Sequence, residues 1–152
     1  MPSAKAVPRD QFLVVRCSFI DGVDPIEEIN RVIERKGHAW FGKYGGPLAR
    51  SLGETVRDPN VNTFVVLVQK DTGANYAARP FRLLEVTKNR PKRRDHYPRY
   101  YDKVIGRIGD WLKVAPYDGP TFDIRKLQIR SSAQPLLRTL GLSMRGYFLC
   151  RL

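Results

Sequence analysis

The chain has 152 residues, 42% of them hydrophobic and 11% aromatic, which suits one domain with a sizeable core and excludes a disordered polyelectrolyte. Lys and Arg number 27 against 15 Asp and Glu, a formal net charge of +12, which points to polyanionic partners. No apolar run approaches the roughly 20 residues of a membrane helix, and two cysteines are too few for a disulfide framework, so the expected compartment is the cytoplasm.

Residues 1–11 read as a flexible leader, and 1–10 lack the apolar stretch of a signal peptide; a single domain is expected over 12–152. Residues 12–20, FLVVRCSFI, predict a buried first strand. Asp24-Pro25-Ile26-Glu27-Glu28 is the clearest helix start in the chain. Asp24 can cap, Pro25 suits the first helical position, and the glutamates suit the positive end of the dipole. Ile26, Ile29, Val32 and Ile33 form one apolar stripe, Arg35 and Lys36 lie at the negative end, and Gly37 can close the helix.

Residues 47–56 predict a short helix weakened by Gly53. Residues 63–69, TFVVLVQ, and 76–87 predict a hairpin around a turn at 71–74, with Pro80 marking an edge or a bulge. A polar loop is expected over 88–99, strands over 111–115 and 122–129, a short helix over 134–140 ended by Gly141, and a last strand over 145–152. The sum is an α+β domain: a small curved mixed sheet or pseudo-barrel of about six strands with flanking helices. Cys17 and Cys150 fall on the two terminal strands, where they could touch.

Two stretches carry the functional signal. The first is Trp40-Phe41-Gly42-Lys43-Tyr44-Gly45-Gly46, directly after the helix. Glycines let a backbone approach a ligand closely, an aromatic face can stack on a base, and Lys43 can meet a phosphate. The competing reading is an edge strand in which Trp40 or Phe41 plugs the core, one neighbour facing inward and the other not.

The second stretch is 88–99, in which Lys88, Arg90, Lys92, Arg93, Arg94 and Arg99 are basic and Asp95 alone is acidic. So basic a surface loop positions phosphates. It runs into Tyr97-Pro98-Arg99-Tyr100-Tyr101, and basic charge interleaved with aromatics favours nucleic acid over a membrane surface. The competing readings are a solvated linker and a structural corner of buried tyrosines.

No catalytic residue, metal ligand or cofactor motif is identified. His38 and His96 lack a spaced carboxylate or Cys partner and read as structural or surface histidines. An RNase working through converging Lys, Tyr and Arg side chains remains an alternative.

The order of these pieces resembles the PUA-like superfamily and, within it, the EVE domain. The carrying segments are the opening strand through Val14-Val15-Arg16-Cys17-Ser18-Phe19, then Trp40-Phe41-Gly42, Arg50-Ser51-Leu52, the strand from Phe64 to Gln69, Ala77-Ala78 with Glu85-Val86, and Tyr100-Tyr101-Asp102 before Trp111-Leu112-Lys113-Val114. The Lys-Ser-Glu-Pro opening common in the family is absent, and the Asn that often follows the Trp-x-Gly stretch is missing.

The resemblance implies a pseudo-barrel that takes a flipped, modified and most simply methylated base into an aromatic pocket. Trp40 would wall that pocket with Lys43, Tyr44, Tyr76 and Trp111, and Ser18 would supply a hydrogen bond. It also implies a reader domain, standalone or working with a nuclease in a modification-dependent restriction system, on DNA or RNA. The alternatives from other classes are an RNA-binding or RNA-processing enzyme on a PUA/ASCH-like barrel, and a small-ligand or protein-interaction domain.

Overall fold

An open mixed sheet organises the chain, and the computed structural model describes residues 9–17, 22–44, 53–55, 58–70, 76–142 and 147–152. Among the described residues there are seven strands and two longer helices. They are β1 (Arg9–Arg16), α1 (Pro25–Lys36), β2 (Ala39–Tyr44), β3 (Val61–Lys70), β4 (Tyr76–Thr87), β5 (Ile108–Pro116), β6 (Gln128–Ile129), α2 (Leu136–Leu142) and β7 (Tyr147–Arg151). The sheet order is β2-β5-β4-β3-β1-β7-β6. β1 and β3 are parallel, and every other neighbouring pair is antiparallel. The ladder ends at β2 on one side and β6 on the other, so the expected mixed sheet forms but does not close into a barrel.

The centre of the sheet is covered on both faces, which explains the unbroken apolar runs of β1 and β3. Leu13, Val15, Val65 and Leu67 face one core with the α1 stripe. Phe12, Val14, Phe64, Val66 and Val68 face the other, with Leu127, Leu136 and Leu140. Each such side chain contributes roughly 1.5–3 kcal/mol on burial. A parallel pair needs a long crossover, and α1 and β2 lie within it.

α1 forms as its sequence dictates. Asp24 Oδ1 accepts from the amides of Ile26 at 3.0 Å and Glu27 at 3.3 Å. Gly37 closes the helix at φ 82°, a left-handed conformation, and donates to the Ile33 carbonyl at 2.7 Å. Pro80 pairs with Val66 of β3 one residue before the β5 ladder begins at Phe81, so its missing N–H falls where β4 is locally an edge.

Several expectations are corrected. β1 begins at Arg9, inside the segment read as leader; Gln11 is buried and donates to Thr63 Oγ1 at 2.9 Å. It ends at Arg16, and 18–20 lie outside the described residues. The strand expected over 122–129 shrinks to Gln128–Ile129, because Asp123 accepts from the Arg125 amide at 3.0 Å and starts a 3-10 turn at Ile124–Lys126. α2 runs through Gly141 instead of ending before it. Cys150 faces Phe12 across the β1–β7 ladder, while Cys17 lies past the end of β1; both are free thiols. The turn at 71–74 and most of the helix expected at 47–56 lie outside the described residues, of which 53–55 are helical.

Candidate nucleic-acid interface

The aromatic stretch after α1 is strand β2, antiparallel to β5. Both Trp40 and Phe41 are buried, at 9% and 3% exposure. Strand alternation still holds, but each face has its own cover. Phe41 meets the Tyr101 ring edge-on with centroids 6.3 Å apart, and the Lys113 ammonium sits 5.9 Å from the Trp40 centroid. Gly42 serves packing and not a ligand: a Cβ there would lie 2.6 Å from Ile108 Cδ1 and 3.2 Å from Tyr101 Cε1. Trp40 is therefore a core residue and not the wall of an open pocket.

The rest of the expected pocket disperses. Trp111 is buried against Tyr97 and Tyr101, with centroids 5.1 and 5.4 Å away. Lys43 is buried too, its Nζ donating to the Tyr44 carbonyl at 3.2 Å and lying 5.2 Å from the Tyr147 centroid. That position removes it from surface phosphates. Tyr76 packs on the opposite core and donates its hydroxyl to the Leu140 carbonyl at 3.2 Å. Ser18 lies outside the described residues. Of the five described residues of that set, Tyr44 is the exposed one, at 37%, beside Tyr101 with centroids 6.5 Å apart.

Two residues absent from that set are chemically conspicuous. The rings of Tyr100 and Tyr101 lie tilted with centroids 4.4 Å apart, and their buried hydroxyls face each other, that of Tyr101 also near the Gly42 backbone. Burial pushes both phenol pKa values up, so both stay neutral. Tyr97 and Tyr101 are fully buried, as the structural-corner reading anticipated.

Those tyrosines hold the basic segment against the sheet in a chain of 3-10 turns, Arg94–His96, Arg99–Lys103 and Ile105–Arg107. Its two carboxylates are already engaged. Arg94 Nη2 reaches Asp102 Oδ2 at 2.6 Å, Arg90 Nη2 donates to the Tyr97 hydroxyl at 3.0 Å, and Lys36 Nζ pairs with Asp95 Oδ2 at 2.9 Å. The hydrogen bond from Lys36 holds the Asp95 carboxyl below the usual carboxylate range, and the bond to Asp102 raises the Arg94 guanidinium. Lys88, Lys92, Arg93 and Arg99 project outward and make no ion pair among the described residues; nor does Arg35 of α1.

Between α1 and this segment runs a groove of about 820 Å³, with Arg35 and Lys36 on the helical side and Arg94, Asp95, Arg99 and Asp102 on the other. Sequence reasoning found the basic segment but not its second wall. The signal was present, since Arg35 and Lys36 end the helix with the clearest start in the sequence, yet their meeting with 94–102 is a tertiary fact.

Among the described residues no three His, Cys, Asp or Glu side chains converge as a metal site would require, and no helix is long and apolar enough to cross a membrane. Comparisons with protein-family models, curated proteins and solved structures return no match.

Proposed function

We propose that the chain is a nucleic-acid-binding module that holds the phosphate backbone in the groove between α1 and the 88–103 segment. The observation that carries this is the pair of groove cations with no ion pair among the described residues, Arg35 and Arg99, with Lys88, Lys92 and Arg93 exposed on the same basic segment, while the three carboxylates of the lining, Glu28, Asp95 and Asp102, are paired with Arg31, Lys36 and Arg94. Guanidinium and ammonium groups free of internal partners keep their donors for phosphate oxygens and release counterions on binding.

The resemblance to EVE-type, PUA-like domains supports a finer proposal, capture of one extruded, modified base. Its natural platform here is Tyr44, an exposed aromatic among the described residues, with the buried ring of Tyr101 close behind. Stacking of a base on such a ring contributes about 1–3 kcal/mol.

The deciding measurement is a titration with methylated and unmodified DNA and RNA, single- and double-stranded, across a salt series. Binding is expected with log K falling linearly in log salt, and Arg35→Ala with Arg99→Ala should reduce the slope by roughly two counterions' worth. Tyr44→Ala should erase discrimination between methylated and unmodified oligonucleotides while leaving the salt slope intact. A slope indifferent to Arg35 and Arg99 would remove the groove from the interface. Turnover of RNA without metal would replace the binding module with a nuclease.

A further inference from the structure

His38 and His96 come from the two elements that wall the groove. His38 follows the Gly37 that closes α1, and His96 ends the first turn of the basic segment, between the groove residues Asp95 and Tyr97. Their rings meet edge-on, 4.6 Å between centroids and 88° between planes, with His38 Nε2 3.1 Å from His96 Nδ1. This bond joins the two walls directly, beside the Lys36–Asp95 ion pair that joins them on the surface.

An imidazole–imidazole hydrogen bond needs one N–H and one lone pair. Two neutral rings satisfy it, and so does a pair carrying one extra proton. With both rings protonated, two N–H groups face each other at 3.1 Å and no acceptor is left. The surroundings offer the second charge little relief. Lys113 of β5 acts on His38, and Lys36 of α1 lies near. The one carboxylate at hand, Asp95, has Oδ1 3.7 Å from His96 Nε2 and Oδ2 committed to Lys36.

We propose that the His38–His96 bond is a proton-operated clasp on the groove: when both rings are protonated they part, the 94–103 turns come free of α1, and the site opens while gaining positive charge. The link to nucleic acid rests on the function proposed above; the clasp itself does not. Burial first, then Lys113 and His96, lower the His38 pKa from its ordinary value. A histidine with a lowered folded pKa contributes stability that is complete above its unfolded value of about 6.5 and is lost as pH falls through the folded value. A polyanion in the groove favours the second proton, so binding and protonation reinforce one another.

Hydrogen exchange on the free protein tests the clasp. Corrected for intrinsic rates, the amides of residues 94–103 should lose about tenfold or more of their protection between pH 7.5 and 5.0, while β3 keeps its own. His38→Gln can still accept from His96 through its side-chain carbonyl but does not titrate, so it should keep the segment protected at both pH values; His96→Gln is the reciprocal variant should the first not fold. Equal protection of the parent at both pH values overturns the proposal, as does a pH-dependent loss that persists in His38→Gln. With a single-stranded oligonucleotide, affinity should rise by up to about tenfold per pH unit below 6.5 in the parent, one proton being taken up, and less in His38→Gln. No oligonucleotide binding at either pH would defeat the nucleic-acid reading and leave the exchange result to decide the clasp.

Discussion

The two walls of the groove are built in opposite ways. α1 is specified by its own residues: an Asp24 cap, Pro25 at the first position, an apolar stripe and Gly37 as terminator. The 88–103 segment has no regular hydrogen-bond ladder and owes its shape to two anchors, the buried rings of Tyr97 and Tyr101, and to bridges from Asp95 and Asp102. A wall held by local propensity stays in place when one contact is lost. A wall held by anchors moves when an anchor goes, which is what a site that must admit a ligand needs. The comparison is broken if truncating an anchor leaves the segment ordered, or if removing the cap disturbs it.

Tyr101 is the strongest test. It is fully buried and touches the rings of Phe41, Tyr44, Tyr97, Tyr100 and Trp111. Tyr101→Ala should cost about 3–5 kcal/mol, the range for truncating a core aromatic, and lower the thermal midpoint accordingly. Trp40→Ala should cost a similar amount; a melt close to that of the parent would return Trp40 to the ligand-facing role its sequence context suggested. Tyr101→Phe separates ring from hydroxyl. It keeps the buried ring and removes only a hydroxyl that faces Tyr100 and the Gly42 backbone, so it should cost far less stability than Tyr101→Ala, whereas capture of a modified base should weaken.

Gly42→Ala probes the junction of the anchored wall with β2. The new methyl would press into Ile108 and the Tyr101 ring, and overpacking of this kind costs about 1–3 kcal/mol. Denaturant unfolding should show the loss with an unchanged m-value, because the folded and unfolded surfaces stay the same. A stability equal to the parent's would mean that the Ile108 side chain simply rotates away.

Asp24→Ala addresses the other wall. It leaves the amides of Ile26 and Glu27 without their acceptor and should cost about 1 kcal/mol. Exchange should quicken in the first turn of α1 and nowhere in 94–103. Spread of the effect into the basic segment would show that the walls are not independent.

The same division decides what could be read from the sequence. α1, the β3–β4 hairpin and the burial of β1 were legible because short-range rules, caps and apolar runs, determine them. The candidate pocket was not, because edge-strand burial depends on what arrives from elsewhere. Alternation predicted one exposed partner in Trp40-Phe41, but Tyr101 and Lys113, both distant in sequence, cover the two faces. Gly42 looked like an opening for a ligand, although the space it leaves is filled by Ile108 and Tyr101. The His38–His96 bond joins residues 58 positions apart, and no spacing rule announces it.

The smallest effect on stability, and the finest test of the anchored wall, comes from Arg93 and Arg94. Adjacent in sequence and both exposed, they differ in what they face. Arg94 spends its guanidinium on Asp102, whereas Arg93 has no partner among the described residues. From sequence alone the pair is worth up to about two released counterions. With Arg94 engaged internally, Arg93→Ala should flatten the salt dependence of nucleic-acid binding by roughly one counterion, and Arg94→Ala by less, since its loss also frees the Asp102 carboxylate to repel phosphate. Arg94→Ala should instead weaken binding at every salt concentration and speed exchange around Asp102, the signature of a lost tether. Equal slope changes for the two variants would mean that Arg94 leaves Asp102 when the strand arrives, and that the bridge is a placeholder for phosphate.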